Sequence, residues 1–326
     1  MAGIKIVQTA HEVPDKIVTN DELTQYMDTS DEWISSRTGI RQRHVTTTQT
    51  TSALCGIVAD RLLEDAGWSA DSLDFIVVAT MSPDYMTPAT AAIVQHHIHA
   101  TNAFAFDLNA ACSGFIYGLK VAGDLLKGGQ KRGMLIGGET LSKLVDWHER
   151  STAVLFGDGA GGVLLERVSD TDQSQFLASD LQTLGELGDR LTAGYQPLTS
   201  PFATDDTDAH QQYFEMDGRA VYKFATRDVP KSINRALVKA DKTVKDVDYF
   251  LLHQANQRII NQIAKQLDLP ETPFLSNVAN YGNTSAASVP ILLDEAVRAR
   301  TIQRGQLIAL SGFGGGLTIG TQLIIY

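Results

Sequence analysis

The sequence predicts an α/β fold built from two repeated halves, and three observations carry this. Apolar runs rich in β-branched residues alternate with amphipathic stretches along the whole chain, as strands interleaved with helices do. Two strand-like landmarks recur at nearly equal spacing. Asp248 of VDYFLLHQAN follows Asp74 of LDFIVVATMS by 174 residues, and Gly305 of GQLIALSG follows Gly133 of GMLIGGE by 172. Helix-like stretches precede the first pair of landmarks, SALCGIVADRLLEDAG (52–67) in one half and VPKSINRALVKA (229–240) in the other. One half is expected over 1–170 and the other over 171–326, with the divide within 167–212. That polar, turn-rich stretch is expected to hold a strand and a surface excursion. The two cores are expected to pack as one unit with the site between them.

Composition narrows the function. The 326 residues are 43% hydrophobic, ample for a large core. A net charge of −11 argues against general nucleic-acid binding. Cys55 and Cys112 are the only cysteines, which is no disulfide framework and fits a reducing compartment. No basic segment followed by a long apolar run opens the chain, and no apolar stretch is long enough to span a bilayer. A cytoplasmic protein with no membrane association is expected.

Along the chain, Cys55 falls inside an amphipathic helical pattern and reads as packing. His96, His97 and His99 lack carboxylate or cysteine partners at metal-ligand spacing, so they read as a solvated helix end and no metal site is expected. Cys112 differs. FAFDLN reads as a strand, and Phe115, Ile116, Leu119, Ala122, Leu125 and Leu126 then recur at helical spacing until Gly128 and Gly129. Cys112 thus sits where a strand turns into a helix N-terminus, and the dipole there is expected to lower a thiol pKa. On position alone, a packed thiol and a nucleophile fit equally well.

GDGAGG (157–162) formally contains GxGxxG, but GVLLERV follows it and reads as a strand. A tight hairpin-like turn is expected there, not a dinucleotide site. His253 ends the apolar run VDYFLL, at the strand end where α/β folds place their sites. A satisfied core histidine is the alternative. Asn283, in the small-residue segment YGNTSAAS, reads by itself as a helix cap. SGFGGGLTIG (311–320) lacks a phosphate-loop lysine but suits close backbone approach to a ligand.

Six segments in order, DEWISSRTGIRQR (31–43), DLNAACSGF (107–115), FGDGAGG (156–162), LLHQANQRI (251–259), NYGNTSAAS (280–288) and SGFGGGLTIG (311–320), together resemble the β-ketoacyl-acyl-carrier-protein synthase III family over essentially the whole chain. The resemblance implies a five-layered αβαβα thiolase fold and a homodimer. It makes Cys112 the nucleophile, pairs it with His253 and Asn283, and assigns the backbone N–H groups of Cys112 and Gly315 to an oxyanion hole. It sets Trp33, Arg37 and Arg150 along a coenzyme A channel, with Asn256 and Phe313 nearer the reacting centre. It puts Thr87 at the acyl pocket, where some relatives carry a bulky aromatic, so primers larger than acetyl are expected.

The implied reaction joins an acyl-coenzyme A primer to a malonyl thioester on acyl carrier protein. CO₂ and coenzyme A leave, and no cofactor is needed beyond the thioester substrate. Carrier proteins are acidic, so an acidic enzyme needs a local basic patch to receive one. Arg258 and Lys265, one helix face apart by seven residues, with Lys223 and Arg219, are the candidates. Two rivals stand beside this reading: a condensing enzyme for a polyketide or quinolone starter, and a non-catalytic acyl-binding protein of the same fold.

Overall fold

The computed structural model describes residues 3–169, 171–198, 200–202 and 209–326. The first half supplies β1 (Gly3–Glu12), β2 (Phe75–Ala79), β3 (Phe104–Leu108), β4 (Arg132–Glu139) and β5 (Gly159–Val168), in sheet order β1-β5-β4-β2-β3. The second supplies β6 (Gln175–Thr183), β7 (Tyr249–Leu252), β8 (Phe274–Leu275), β9 (Leu307–Gly314) and β10 (Thr318–Ile325), in order β6-β10-β9-β7-β8. The two orders are the same. So are the directions: β5 and β10 each run antiparallel to both neighbours, and β2 and β7 run parallel to theirs.

The central strands are apolar on both faces because both faces are covered. In β2, Phe75 and Val77 face the middle of the molecule and Ile76 and Val78 face outward. Outside the first sheet lie α1 (Asp31–Thr38) near the cavity mouth, and α2 (Thr51–Ala66) and α3 (Thr90–His97) on the sheet itself, where Leu54, Cys55, Val58 and Val94 pack. Between the sheets run α4 (Gly114–Lys127) and, after α5 (Gly218–Lys239) and α6 (Gln257–Gln266), α7 (Ser288–Arg298). Phe115, Ile116, Leu119, Val289, Leu292 and Leu293 fill this middle layer, and α5 and α6 cover the outer face of the second sheet. The layering is αβαβα, the thiolase fold.

Two expectations need correction. GDGAGG is not a hairpin turn: residues 150–153 form a short helix, and Gly159–Gly162 already belong to β5 in the sheet. Glycine is needed because a Cβ at Gly161 would lie 2.7 Å from the Ile291 nitrogen, where α7 crosses the strand. The helix read over 229–240 begins at Gly218 and runs through Pro230. Asp217 caps it by accepting the Ala220 N–H at 3.0 Å. Within 167–212 the expected strand is β6, and residues 170, 199 and 203–208 lie outside the described residues.

Candidate active site

A cavity of about 1150 Å³ lies where the two halves meet, lined by Cys112, His253 and Asn283 among others. Cys112 sits in a single turn, Ala111–Ser113, directly before α4. Ala111 is left-handed (φ 45°), and the Asn109 side-chain oxygen accepts its N–H at 3.0 Å. The glycine-rich hairpin β9–β10 comes up against this turn. A Cβ on Gly314 would stand 2.7 Å from the Cys112 Cβ, so only glycine admits the approach. The segment thus lies directly against the cysteine. Gly315 also lines the cavity.

Burial reverses one expectation. It pushes the Cys112 thiol up to about 12; the Ser285 hydroxyl partly offsets this, and the Glu139 carboxylate adds to it. With burial as the largest cause, the resting cysteine is a thiol. Glu139 ends β4 fully buried, and burial raises its pKa to about 7. Its carboxylate accepts from Thr80 Oγ1 at 3.1 Å, Met81 N at 3.2 Å and Ser82 N at 3.1 Å, and from Ser82 Oγ, which fixes Met81 in the cavity wall.

His253 follows β7 and is buried, with its pKa lowered to about 3 by desolvation, so the ring is neutral. Its Nδ1 meets Ser288 Oγ at 2.7 Å, and Phe313 packs against the ring edge-to-face at 5.1 Å. Asn283 is tied by its backbone to Leu155 and Gly157. Its side-chain oxygen accepts the Ser285 N–H at 2.9 Å. That bond fixes the amide orientation and leaves the NH₂ as the group free to turn to the cavity. The capping-type bond and the functional reading are therefore compatible.

Arg37, Asn256 and Phe313 line the cavity. Asn256 caps α6 through Arg258 N at 2.8 Å and donates to the Arg37 carbonyl at 3.1 Å, joining α1 to α6. The Trp33 ring carries the guanidinium groups of Arg37 at 4.6 Å and Arg150 at 4.5 Å. Arg258 lies at the cavity with Tyr222, whereas Lys223 and Arg219 are exposed outside it and Lys265 sits beside Asp268 and Glu271. Thr87 departs from expectation. It is exposed and does not line its own chain's cavity. His97 pairs with Asp60 at 2.8 Å on the surface, a partner that linear spacing hid. Asn109, Ser285, Met81 and the stacked pair Phe156 and Phe214 line the cavity and were not singled out. The 174-residue offset from Asn109 to Asn283 was the available signal for the first.

Fold and cavity together are those of a condensing acyltransferase of the thiolase class. Family models described as 3-oxoacyl-[acyl-carrier-protein (ACP)] synthase III match residues 106–185, and its C-terminal counterpart matches 237–326. The β-ketoacyl-[acyl-carrier-protein] synthase III of Lactobacillus helveticus is 54% identical over 323 residues, 99% of this chain and 98% of that protein. The crystal structure of 3-oxoacyl-[acyl-carrier-protein] synthase III from Aquifex aeolicus superposes with a TM-score of 0.92 at 40% identity, covering 99% and 100% of the two chains. The priming β-ketosynthase of the R1128 polyketide pathway has a TM-score of 0.91 at 31% identity, covering 99% and 96%. The chain belongs to the β-ketoacyl-acyl-carrier-protein synthase III family.

Proposed function

We propose that this chain starts fatty-acid synthesis by condensing an acyl-coenzyme A primer with malonyl-acyl carrier protein, through an acyl group held on Cys112. The observation that carries the reading is the meeting of Cys112, His253 and Asn283 on one cavity, each from its own loop at a strand end or helix start. The Cys112 sulfur attacks the primer thioester and its proton leaves with coenzyme A. The N–H groups of Cys112 and Gly315 hold the tetrahedral oxyanion. A malonyl thioester then loses CO₂. Neutral His253 and the Asn283 amide donate to its carbonyl oxygen as enolate charge develops there. The enolate carbon attacks acyl-Cys112, the carbon–sulfur bond breaks to give 3-oxoacyl-carrier protein, and the Cys112 thiolate that leaves takes a proton from solvent to restore the thiol. Trp33, Arg37, Arg150, Asn256 and Phe313 hold coenzyme A along the channel. No step calls for a metal or redox cofactor.

The carrier protein docks beside the mouth on Arg258, Lys223, Arg219 and Lys265, with Arg258 foremost because it alone reaches the cavity. The chain works as a homodimer. The edge strand β3 pairs with β2 alone in its sheet, and Phe104 on it is 44% exposed. An exposed Thr87 can act on the acyl group only across such an interface. The halves divide at 1–170 and 171–326, between β5 and β6. A cytoplasmic place fits two free cysteines. Among the described residues, no helix is long and apolar enough to cross a membrane. A polyketide-priming role is less favoured, since identity falls from 54% with the β-ketoacyl-[acyl-carrier-protein] synthase III of Lactobacillus helveticus to 31% with the priming synthase. The test is turnover of acetyl-coenzyme A with malonyl-carrier protein against malonyl-coenzyme A. Equal use of both would reject the carrier-protein reading.

A further inference from the structure

We propose that Ser288 is the residue that decides which ring nitrogen of His253 carries the proton. The inference rests on the donor role given to His253 above. His253 and Ser288 are 1% and 2% exposed, with Nδ1 2.7 Å from Ser288 Oγ. The same oxygen lies 2.8 Å from the Ser285 carbonyl and accepts the Gln254 N–H at 3.4 Å.

A hydroxyl has one proton to give. If Ser288 gives it to the Ser285 carbonyl, it must accept Nδ1–H, and Nε2 is left as a bare lone pair. If Ser288 gives it to Nδ1, the ring proton sits on Nε2. Rotation of one hydroxyl about its C–O bond, with exchange of the ring proton, separates the two states. The ring itself need not move, held as it is against Phe313. A doubly protonated ring offers no third choice, because burial keeps His253 neutral.

The cavity side sets the requirement. A lone pair aimed at a developing enolate oxygen repels it, and an N–H stabilises it. Decarboxylation therefore needs the state in which Ser288 donates to Nδ1. That state leaves no orphan acceptor, because the Ser285 carbonyl keeps the backbone N–H of Ser288. The bond from the Gln254 N–H to Ser288 Oγ strengthens the hydroxyl as a donor, whichever acceptor it serves. Ser288 is thus a positioning residue for the malonyl half-reaction, and it has no part in attack by Cys112.

The experiment compares wild type, Ser288→Ala, Ser288→Thr and His253→Ala, by ring-nitrogen NMR of isotopically labelled histidine and by two separate rates. Wild type is expected to carry the His253 proton on Nε2. Ser288→Ala is expected to populate both tautomers and Ser288→Thr to restore one. Release of CO₂ from malonyl-coenzyme A is expected to fall at least about tenfold in Ser288→Ala, toward the roughly 10²–10³-fold loss of a missing donor, while acylation of Cys112 by acetyl-coenzyme A changes by less than about twofold. A wild-type proton on Nδ1, an unchanged tautomer and CO₂ release in Ser288→Ala, or equal loss in both rates would overturn the proposal. Normal CO₂ release in His253→Ala would instead remove the donor role of His253, while the NMR signature still decides the part played by Ser288.

Discussion

Asn109 and Asn283 stand 174 residues apart and build the same turn, each side-chain oxygen accepting the backbone N–H two residues on, from Ala111 at 3.0 Å and from Ser285 at 2.9 Å. The accepting turns match as well. Ala111 and Ser285 are both left-handed, at φ 45° and 48°, and each opens a single helical turn before a long middle-layer helix. Cys112 in one half therefore corresponds to Ala286 in the other. One copy of the turn presents a sulfur, and the other presents an amide.

The two asparagines should separate the half-reactions. Asn283→Ala is expected to form acyl-Cys112 normally and to lose roughly 10²–10³-fold in release of CO₂ from the malonyl thioester. Asn109→Ala loosens the turn under Cys112 and should slow acylation instead. Stopped assays of each half-reaction check this, and a matching loss of both in Asn283→Ala contradicts the assigned role.

Cys112 should behave as a buried thiol. With its pKa pushed up to about 12, the thiolate fraction grows tenfold per pH unit through the working range. Alkylation by iodoacetamide in the absence of substrate should climb without a plateau between about pH 6 and 9. A plateau with a midpoint near neutrality would mean that the helix dipole prevails over burial after all.

The sequence carried the repeat, the strand-to-helix position of Cys112, and the strand end that holds His253, because each follows from local periodicity. It did not carry the raised thiol pKa, since that depends first on burial by atoms distant in sequence and then on Ser285 and Glu139. GDGAGG misled because glycines that admit a crossing helix look the same in sequence as glycines that turn a chain. Pro230 obscured the true length of α5. Ser288 gave no signal at all: its role depends on a 2.7 Å contact with a residue 35 positions away.

The carrier-protein patch is best tested away from the cavity. Arg258 lines the cavity, so Arg258→Glu touches primer binding too. Lys223→Glu should raise KM for malonyl-carrier protein, more at low salt, with acylation by acetyl-coenzyme A unchanged. Lys265→Glu should do less, since Asp268 and Glu271 already lie beside it. Salt-independent kinetics in Lys223→Glu would remove it from the patch.

Asp294 joins the halves. Burial opposes its ionisation, but hydrogen bonds from His11 at 2.6 Å, Thr9 at 2.6 Å and Arg298 at 2.8 Å hold its carboxyl below the usual range. A depressed carboxyl pKa adds stability above its unfolded value, about 3.9, and loses it as pH falls through the folded value. Asp294→Asn should cost roughly 1–3 kcal/mol at pH 7, limited because Arg298 is half in solvent. The gap from wild type should close below about pH 4 in urea melts. A gap independent of pH would point to packing instead of charge.

The central claim is that Cys112 carries the acyl group. Intact-mass measurement after incubation with acetyl-coenzyme A, followed by peptide mapping, addresses it directly. One acetyl per chain on the peptide containing Cys112, absent in Cys112→Ala, is the predicted result. An unmodified chain, or acetyl mapped to Cys55, would contradict it.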